Sequence, residues 1–345
     1  MQTSHKHAMR SILGIYDFGV QPYSIGDFIL FQQICLASAE LAGASRCDVC
    51  LVADYESHAD PCFDRYITPD NRLGFIHQLM TLLELNPLCG DVHIFKDAQA
   101  YRRFMALADN RDRLGPFFAE HARDYYFYPA WKLFRACHEL PGGMPLIALP
   151  EYVSRWAEAF LREHAAGLVP VSVNLRDNHR LAPERNADRE AWLAFFEACH
   201  GRFPAKFLVV CGTEEFDRRL EGLPNVEALK AHRSDLLQDL AVLRASAMHM
   251  GVSSGPTMLP IFGGKPYVIF RDTLDPATLG PAARPQGEGY QFFFSTPDQK
   301  MTSRPDTVEN LIAEFEARFE SALSFAGQRA AKPYLAEAAQ TNWLR

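Results

Sequence analysis

The residues with the clearest chemical potential lie in the run Ala247-Met248-His249-Met250-Gly251-Val252-Ser253-Ser254-Gly255-Pro256-Thr257-Met258-Leu259-Pro260. Residues 247–252 are apolar enough for a buried strand, and 256–262 predict a short helix. Ser253, Ser254 and Gly255 then form the turn between them. Proline suits a first helical turn, because its missing N–H would have no partner there. Small residues let a ligand approach the backbone. Unpaired N–H groups at the positive end of a helix favour an anion, and the two hydroxyls add donors. A tight turn without a ligand is the plain alternative. The turn lies at the carboxyl end of a strand, where open α/β sheets bind ligands, and that favours the anion seat.

A second strand end, Val171-Ser172-Val173-Asn174-Leu175-Arg176-Asp177-Asn178-His179-Arg180, gathers three basic residues. A guanidinium takes two phosphate oxygens at once. Arg176 follows the strand most closely and is preferred over His179 and Arg180, unless it pairs with Asp177 or a surface carboxylate. In Tyr23-Ser24-Ile25-Gly26-Asp27-Phe28, Asp27 serves either as a helix cap or as a general base on a hydroxyl. Ser24 and Gly26 would border the acceptor, with Gly26 allowing close approach. After the strand 206–211, Glu214 or Glu215 is placed to hold ribose hydroxyls, or lies in a solvated loop. Arg233 and Asp235 could edge a base pocket, with Ser234 as the cap of the next helix. The aromatic cluster at 124–131 reads as interdomain core or as a platform for a sugar, with Tyr126 and Trp131 as its platform residues.

Strand and helix patterns alternate to position these groups. Strands are expected at 11–16, 48–53 and 91–95, with helices at 28–41, 72–85 and 98–107. A second alternation runs from the strand 168–175 to a long helix at 306–325. Such order argues for parallel βαβ units. It divides the chain near residue 165, into domains 1–165 and 166–345, with the terminal helix free to pack back on the first.

The chain has 345 residues and a net charge of −7. That argues against binding to a nucleic-acid backbone, which calls for a basic stripe. Eight cysteines are scattered along the chain, and Cys47-x-x-Cys50 has no second pair to complete a zinc site. Buried thiols are the expected role, and no metal site or cofactor is implied. The polar N-terminus has no signal-peptide pattern, and no stretch of about 18 apolar residues is expected. The cytoplasm is the expected location, with peripheral membrane contact open.

At these residues the sequence resembles the GT-B glycosyltransferases, and most closely the heptosyltransferase-like family 9 enzymes. The resemblance rests on Gly251-Val252-Ser253-Ser254-Gly255-Pro256, then Gly264-Lys265-Pro266 and Tyr267-Val268-Ile269-Phe270, and on Ser24-Ile25-Gly26-Asp27. The family often has an acid where Ser253 stands. Its lysine-bearing signature after the first strand of the second half is replaced by Asn174-Leu175-Arg176-Asp177, similar to the diphosphate-binding arginine of fucosyltransferase-like enzymes. The resemblance implies an α/β fold of two Rossmann-like domains facing across a cleft. It implies a hexosyl- or heptosyl-type transferase that uses a nucleotide-diphosphate sugar as co-substrate, without a metal and with inversion, in bacterial surface glycan synthesis. The donor diphosphate would rest on Ser253, Ser254, Gly255 and Arg176, and Asp27 would be the base. The acceptor would be a glycan, a lipid-linked sugar or a protein. The residues also admit a nucleotide-sugar epimerase, a polysaccharide pyruvyltransferase or a non-catalytic nucleotide-sugar-binding protein.

Overall fold

The computed structural model describes residues 10–53, 67–68, 70–179 and 181–331, with side chains as far as 328 in the last helix. Arg180 and Cys62 lie outside the described residues. The chain divides into two compact units, Met1–Pro150 with Ala277–Ala282, and Glu151–Pro276 with Ala283–Arg345.

The first unit contains β1 (Ser11–Asp17), α1 (Ile25–Ala42), β2 (Arg46–Val52), α2 (Arg72–Met80), β3 (Cys89–Phe95), α3 (Ala98–Ala106), α4 (Ala108–Asp112), α5 (Pro116–Glu120) and α6 (Phe127–His138). Its strands pair in parallel in the order β1-β2-β3. β1 and β2 are buried on both faces, so neither alternates between apolar and polar residues, and β2 is apolar from Val49 onward. Ser24 caps α1, its hydroxyl accepting the Asp27 N–H at 3.5 Å, and Gly43 ends the helix in the left-handed region at φ 60. α1 corrects one expectation. It is an 18-residue stretch with a mean hydropathy of 1.3, long and apolar enough to cross a membrane by those measures, but 72% of it is buried within the fold. It is the core helix of this unit.

Asp48 shows how an acid is accommodated in β2. Its side chain is 4% exposed, accepts from Arg46 at 2.6 Å and from the Asp91 N–H at 2.8 Å, and pairs with Arg113. Gly90 makes the room, since a Cβ there would come within 2.2 Å of the Asp48 carboxylate. Burial pushes the Asp48 carboxyl upward, but Arg46, the Asp91 N–H and Arg113 outweigh it and hold the group below its ordinary value. A depressed folded pKa stabilises the protein above the unfolded value, and that stability is lost as pH falls through the folded one. Asp48→Asn should therefore cost on the order of 2 kcal/mol at neutral pH, and the deficit should shrink as pH falls below about 4. Urea melts of both proteins at pH 7 and pH 3 check this; an equal deficit at both would rule it out.

The second unit contains α7 (Glu151–His164), β4 (Val169–Asn174), α8 (Arg189–Cys199), β5 (Ala205–Val210), β6 (Val226–Ala228), α9 (Leu236–Ala245), β7 (Met248–Val252), α10 (Met258–Ile261), β8 (Tyr267–Phe270), α11 (Pro276–Leu279), β9 (Ala283–Pro285), β10 (Gly289–Phe292), β11 (Gln299–Thr302) and α12 (Val308–Ala331). Most of α11 counts with the first unit. The sheet order is β6-β5-β4-β7-β8-β11-β10-β9. β4 pairs in parallel with both β5 and β7, and β10 runs antiparallel to its neighbours. The chain proceeds outward from β4 through β5 to β6, then returns to place β7 on the other side of β4. A topological switch point therefore lies between β4 and β7.

Trp192, Phe195, Phe196, Phe207 and Phe315 form the centre of the core on one face of this sheet. The Trp192 indole N–H donates to Asp306 at 2.7 Å, so the largest core side chain is also satisfied. One boundary differs from the expectation. The division falls at 150/151 instead of near 165, because α7 packs against α9 through a face that buries Val153, Ala157 and Phe160. The described part of α12 packs on α8 and β4 of its own unit through Leu311, Phe315 and Phe319.

Candidate functional site

The carboxyl ends of β4 and β7 meet at the switch point. Gly251 permits this, since a Cβ there would stand 2.7 Å from the Asn174 carbonyl oxygen. The turn that follows is knitted into its neighbours. The Ser253 N–H donates to the Phe270 carbonyl at 2.9 Å, and its hydroxyl donates to Asp272 at 3.1 Å. The Ser254 hydroxyl donates to the Asn174 side chain, and the Ser254 N–H reaches the Thr257 hydroxyl at 3.4 Å. The helix expected over 256–262 is shorter and tighter: a 3-10 turn at Gly255–Thr257 leads into the four residues of α10. The field of one or two turns is small. The turn therefore offers an anion the Gly255 N–H, which bonds to no described residue, and two hydroxyl oxygens already oriented by Asn174 and Asp272.

Asp272 is 4% exposed and also accepts the Tyr290 hydroxyl at 2.8 Å. Burial raises its carboxyl above the ordinary range, against the opposing pull of Tyr290, Ser253 and the Arg185 charge. Arg185 ends a 3-10 turn after β4, and its Nε is buried with no hydrogen-bond partner among the described residues. A buried guanidinium N–H without a partner is costly, and here it belongs to a cation whose charge reaches the serine turn's own acid.

Arg176 does not have the expected role. It is 8% exposed, and its guanidinium donates to the Ala182 carbonyl at 2.8 Å, to Asn186 at 2.5 Å and to the Leu181 carbonyl. Burial and then the nearby Arg185 charge lower its pKa. The side chain holds the loop between β4 and α8 in shape and is not free for a diphosphate. His179 is 80% exposed on Asp177 at 2.9 Å.

The expected nucleoside residues separate into two kinds. Glu215 accepts the Gly212 N–H at 2.8 Å and the Asp177 N–H at 3.1 Å, so it closes its own turn. Asp235, and not Ser234, caps α9, accepting the Gln238 N–H at 2.8 Å. Ser234 is buried and donates to Asp239 at 2.5 Å. Glu214 and Arg233 are exposed, with Arg233 in the left-handed region at φ 57.

In the first unit, Asp27 is half-buried in the first turn of α1 and accepts the Tyr125 hydroxyl at 2.5 Å. With Ser24 as the cap, its carboxylate is not needed for capping. Gly26 is buried, so it offers no open backbone to an acceptor. Tyr126 and Trp131 are each 3% exposed and belong to the core; Tyr126 donates to the Ile15 carbonyl at 2.8 Å, and Trp131 packs edge-on against Phe127 and Phe134. The accessible aromatics are instead Tyr125 and Tyr128, with ring centroids 5.8 Å apart. Sequence reasoning missed Tyr125, Arg185 and Asp272. Tyr125 was one residue from the aromatic chosen, and nothing in the local sequence singles out the other two.

Six of the seven described cysteines are buried, and Cys89 is half-buried. All are free, Cys47 and Cys50 are fully buried, and burial pushes the Cys50 thiol up to about 12. A cluster of His164, Glu227 and His232 is the one group among the described residues with a metal-ligating arrangement.

No family model matches the chain, and no curated protein matches it by sequence. Solved structures do. A glycosyl transferase family 9 protein from Veillonella parvula superimposes with a TM-score of 0.53 at 14% identity, over 91% of this chain and 97% of that one. E. coli ADP-heptose lps heptosyltransferase II superimposes at 0.50 and 11% identity, over 92% and 99%. The chain has the GT-B fold. The second unit carries the eight-stranded sheet and the first, among the described residues, a three-stranded parallel one.

Proposed function

We infer that the protein is a glycosyltransferase that moves a sugar from a nucleotide-diphosphate donor to a hydroxyl acceptor. The observation that carries this reading is the switch point between β4 and β7, where a turn of small residues bonds to Asp272 and the charge of Arg185, whose buried Nε has no hydrogen-bond partner among the described residues, reaches that acid. That is a seat for a compact dianion. The neighbours' names give the direction, since one is a glycosyl transferase and the other acts with ADP-heptose.

In the proposed step, Asp27 takes the proton of the acceptor hydroxyl, and the acceptor oxygen bonds to the anomeric carbon. The bond from that carbon to the diphosphate oxygen breaks, and its electron pair leaves with the diphosphate. A single displacement of this kind inverts the anomeric centre. Arg185 and the Gly255 N–H meet the charge that develops on the leaving group, so the step needs no metal. Tyr125 holds the Asp27 carboxylate in place. Glu214 and Arg233 are the exposed groups left to meet the nucleoside. A surface glycan precursor is the proposed acceptor class, and the cytoplasm, where activated sugars are made, the proposed location.

A thermal-shift screen against UDP-, GDP- and ADP-sugars tests the donor. A ligand that binds only the folded state raises its apparent stability, by about 2.7 kcal/mol at a hundred times its dissociation constant. At least one nucleotide sugar should raise the melting temperature, and its free sugar should not. No shift across the panel would sink the reading.

A further inference from the structure

The geometry points to a second site on this protein: a divalent transition-metal site formed by His164, Glu227 and His232 at the edge of the large sheet. Glu227 lies in β6, the edge strand, separated from β4 by β5. His164 is the last residue of α7, and His232 ends the 3-10 turn that follows β6. The three side chains thus come from three different elements. One ligating atom from each lies within 4.8 Å of the other two. Both imidazoles address the same carboxylate, His232 Nε2 at 2.7 Å from Oε1 and His164 Nδ1 at 3.6 Å from Oε2. Tetrahedral ligands with bonds of about 2.0–2.1 Å stand roughly 3.3 Å apart, so small side-chain rotations close the set.

The surroundings suit a held ion. Phe160 packs against both rings, with centroids 4.3 Å from His164 and 5.2 Å from His232, which limits their rotation. The ligating side chains are 19%, 21% and 34% exposed, sheltered but open to entry from solvent. Two neutral imidazoles and one carboxylate select zinc, nickel or copper over magnesium or calcium, which prefer oxygen ligands. Three protein ligands leave one position for water. One residue opposes the ion: the Lys206 ammonium lies 3.3 Å from Glu227 Oε2 and donates to the Pro224 carbonyl at 3.1 Å. Lys206 is therefore a competitor for Glu227, and the metal must displace it. The site joins α7 to the sheet edge, so its effect is on the stability of the second unit. It has no part in the proposed transfer.

Equilibrium dialysis of the chelator-treated full chain against Zn²⁺, Ni²⁺ and Mg²⁺ tests this, with melting temperature followed in parallel. Other histidines bind zinc weakly, so variants locate the site. Wild type should hold one Zn²⁺ per chain that neither His164→Asn nor His232→Asn retains, with affinity at least 10-fold weaker in each. Zn²⁺ should raise the wild-type melting temperature and leave those of the variants unchanged; Mg²⁺ should do neither. Lys206→Met keeps every ligand and should bind Zn²⁺ more tightly than wild type. Zinc stoichiometry unaltered in both histidine variants, or affinity unchanged or weakened by Lys206→Met, would overturn the proposal.

Discussion

Asp27→Asn is expected to lower turnover about 10²–10⁴-fold, the usual loss when a general base is removed. Asparagine is nearly isosteric and still accepts the Tyr125 hydroxyl, which in the native protein reaches Asp27 at 2.5 Å. The Ser24 cap uses the backbone N–H at position 27, so the helix start is unaffected. The loss should therefore appear in kcat, with the melting temperature and the donor-induced thermal shift unchanged. Steady-state rates with the donor found in the thermal-shift screen, beside melts with and without that donor, separate these readouts. Transfer at the wild-type rate would remove Asp27 from the mechanism while leaving the donor assignment standing.

Arg185→Met should weaken donor use about 10²–10³-fold in kcat/KM, the scale of losing one donor to a developing oxyanion. The side chain's Nε bonds to no described residue, so nothing internal is broken. Arg176 supplies the contrast. Its guanidinium ties Leu181, Ala182 and Asn186 together, and its removal takes three hydrogen bonds out of that loop. Arg176→Met should therefore lower the melting temperature clearly, and Arg185→Met should barely change it. Their charges also oppose each other, so losing one relieves the other. The donor-induced shift measured on both variants decides the matter. A full shift retained in Arg185→Met would place the diphosphate elsewhere.

The sequence made the framework legible wherever burial was two-sided or periodic. β4, β5, β7 and β8 were readable because they are interior parallel strands and β1 because it is buried on both faces, α7 because one face is buried, and α9 because most of it is. The β9-β10-β11 extension was not, since three- and four-residue strands leave no period to detect. α6 was hidden by its aromatics, which are spaced for a helix but resemble a cluster. The serine turn was legible from residue size alone. The cation beside it was not. Arg176 is nearer the strand in sequence, but the loop turns back and buries it, and Arg185, nine residues on, retains the unpaired N–H. In the aromatic run, just before α6, Tyr125 stays accessible while its neighbour Tyr126 turns inward and bonds to the Ile15 carbonyl of β1.

The return of Ala277–Ala282 to the first unit has a consequence for how the chain is made. Arg135 donates to the Pro281 carbonyl, so a segment synthesised late completes a unit whose other residues emerge early. Vectorial synthesis therefore cannot finish the first unit before the second is nearly through the ribosome. Until then α6 lacks the cover of that segment, while α1 is already packed by β1, β2 and α6. Completion of the first unit is thus tied to synthesis of most of the second.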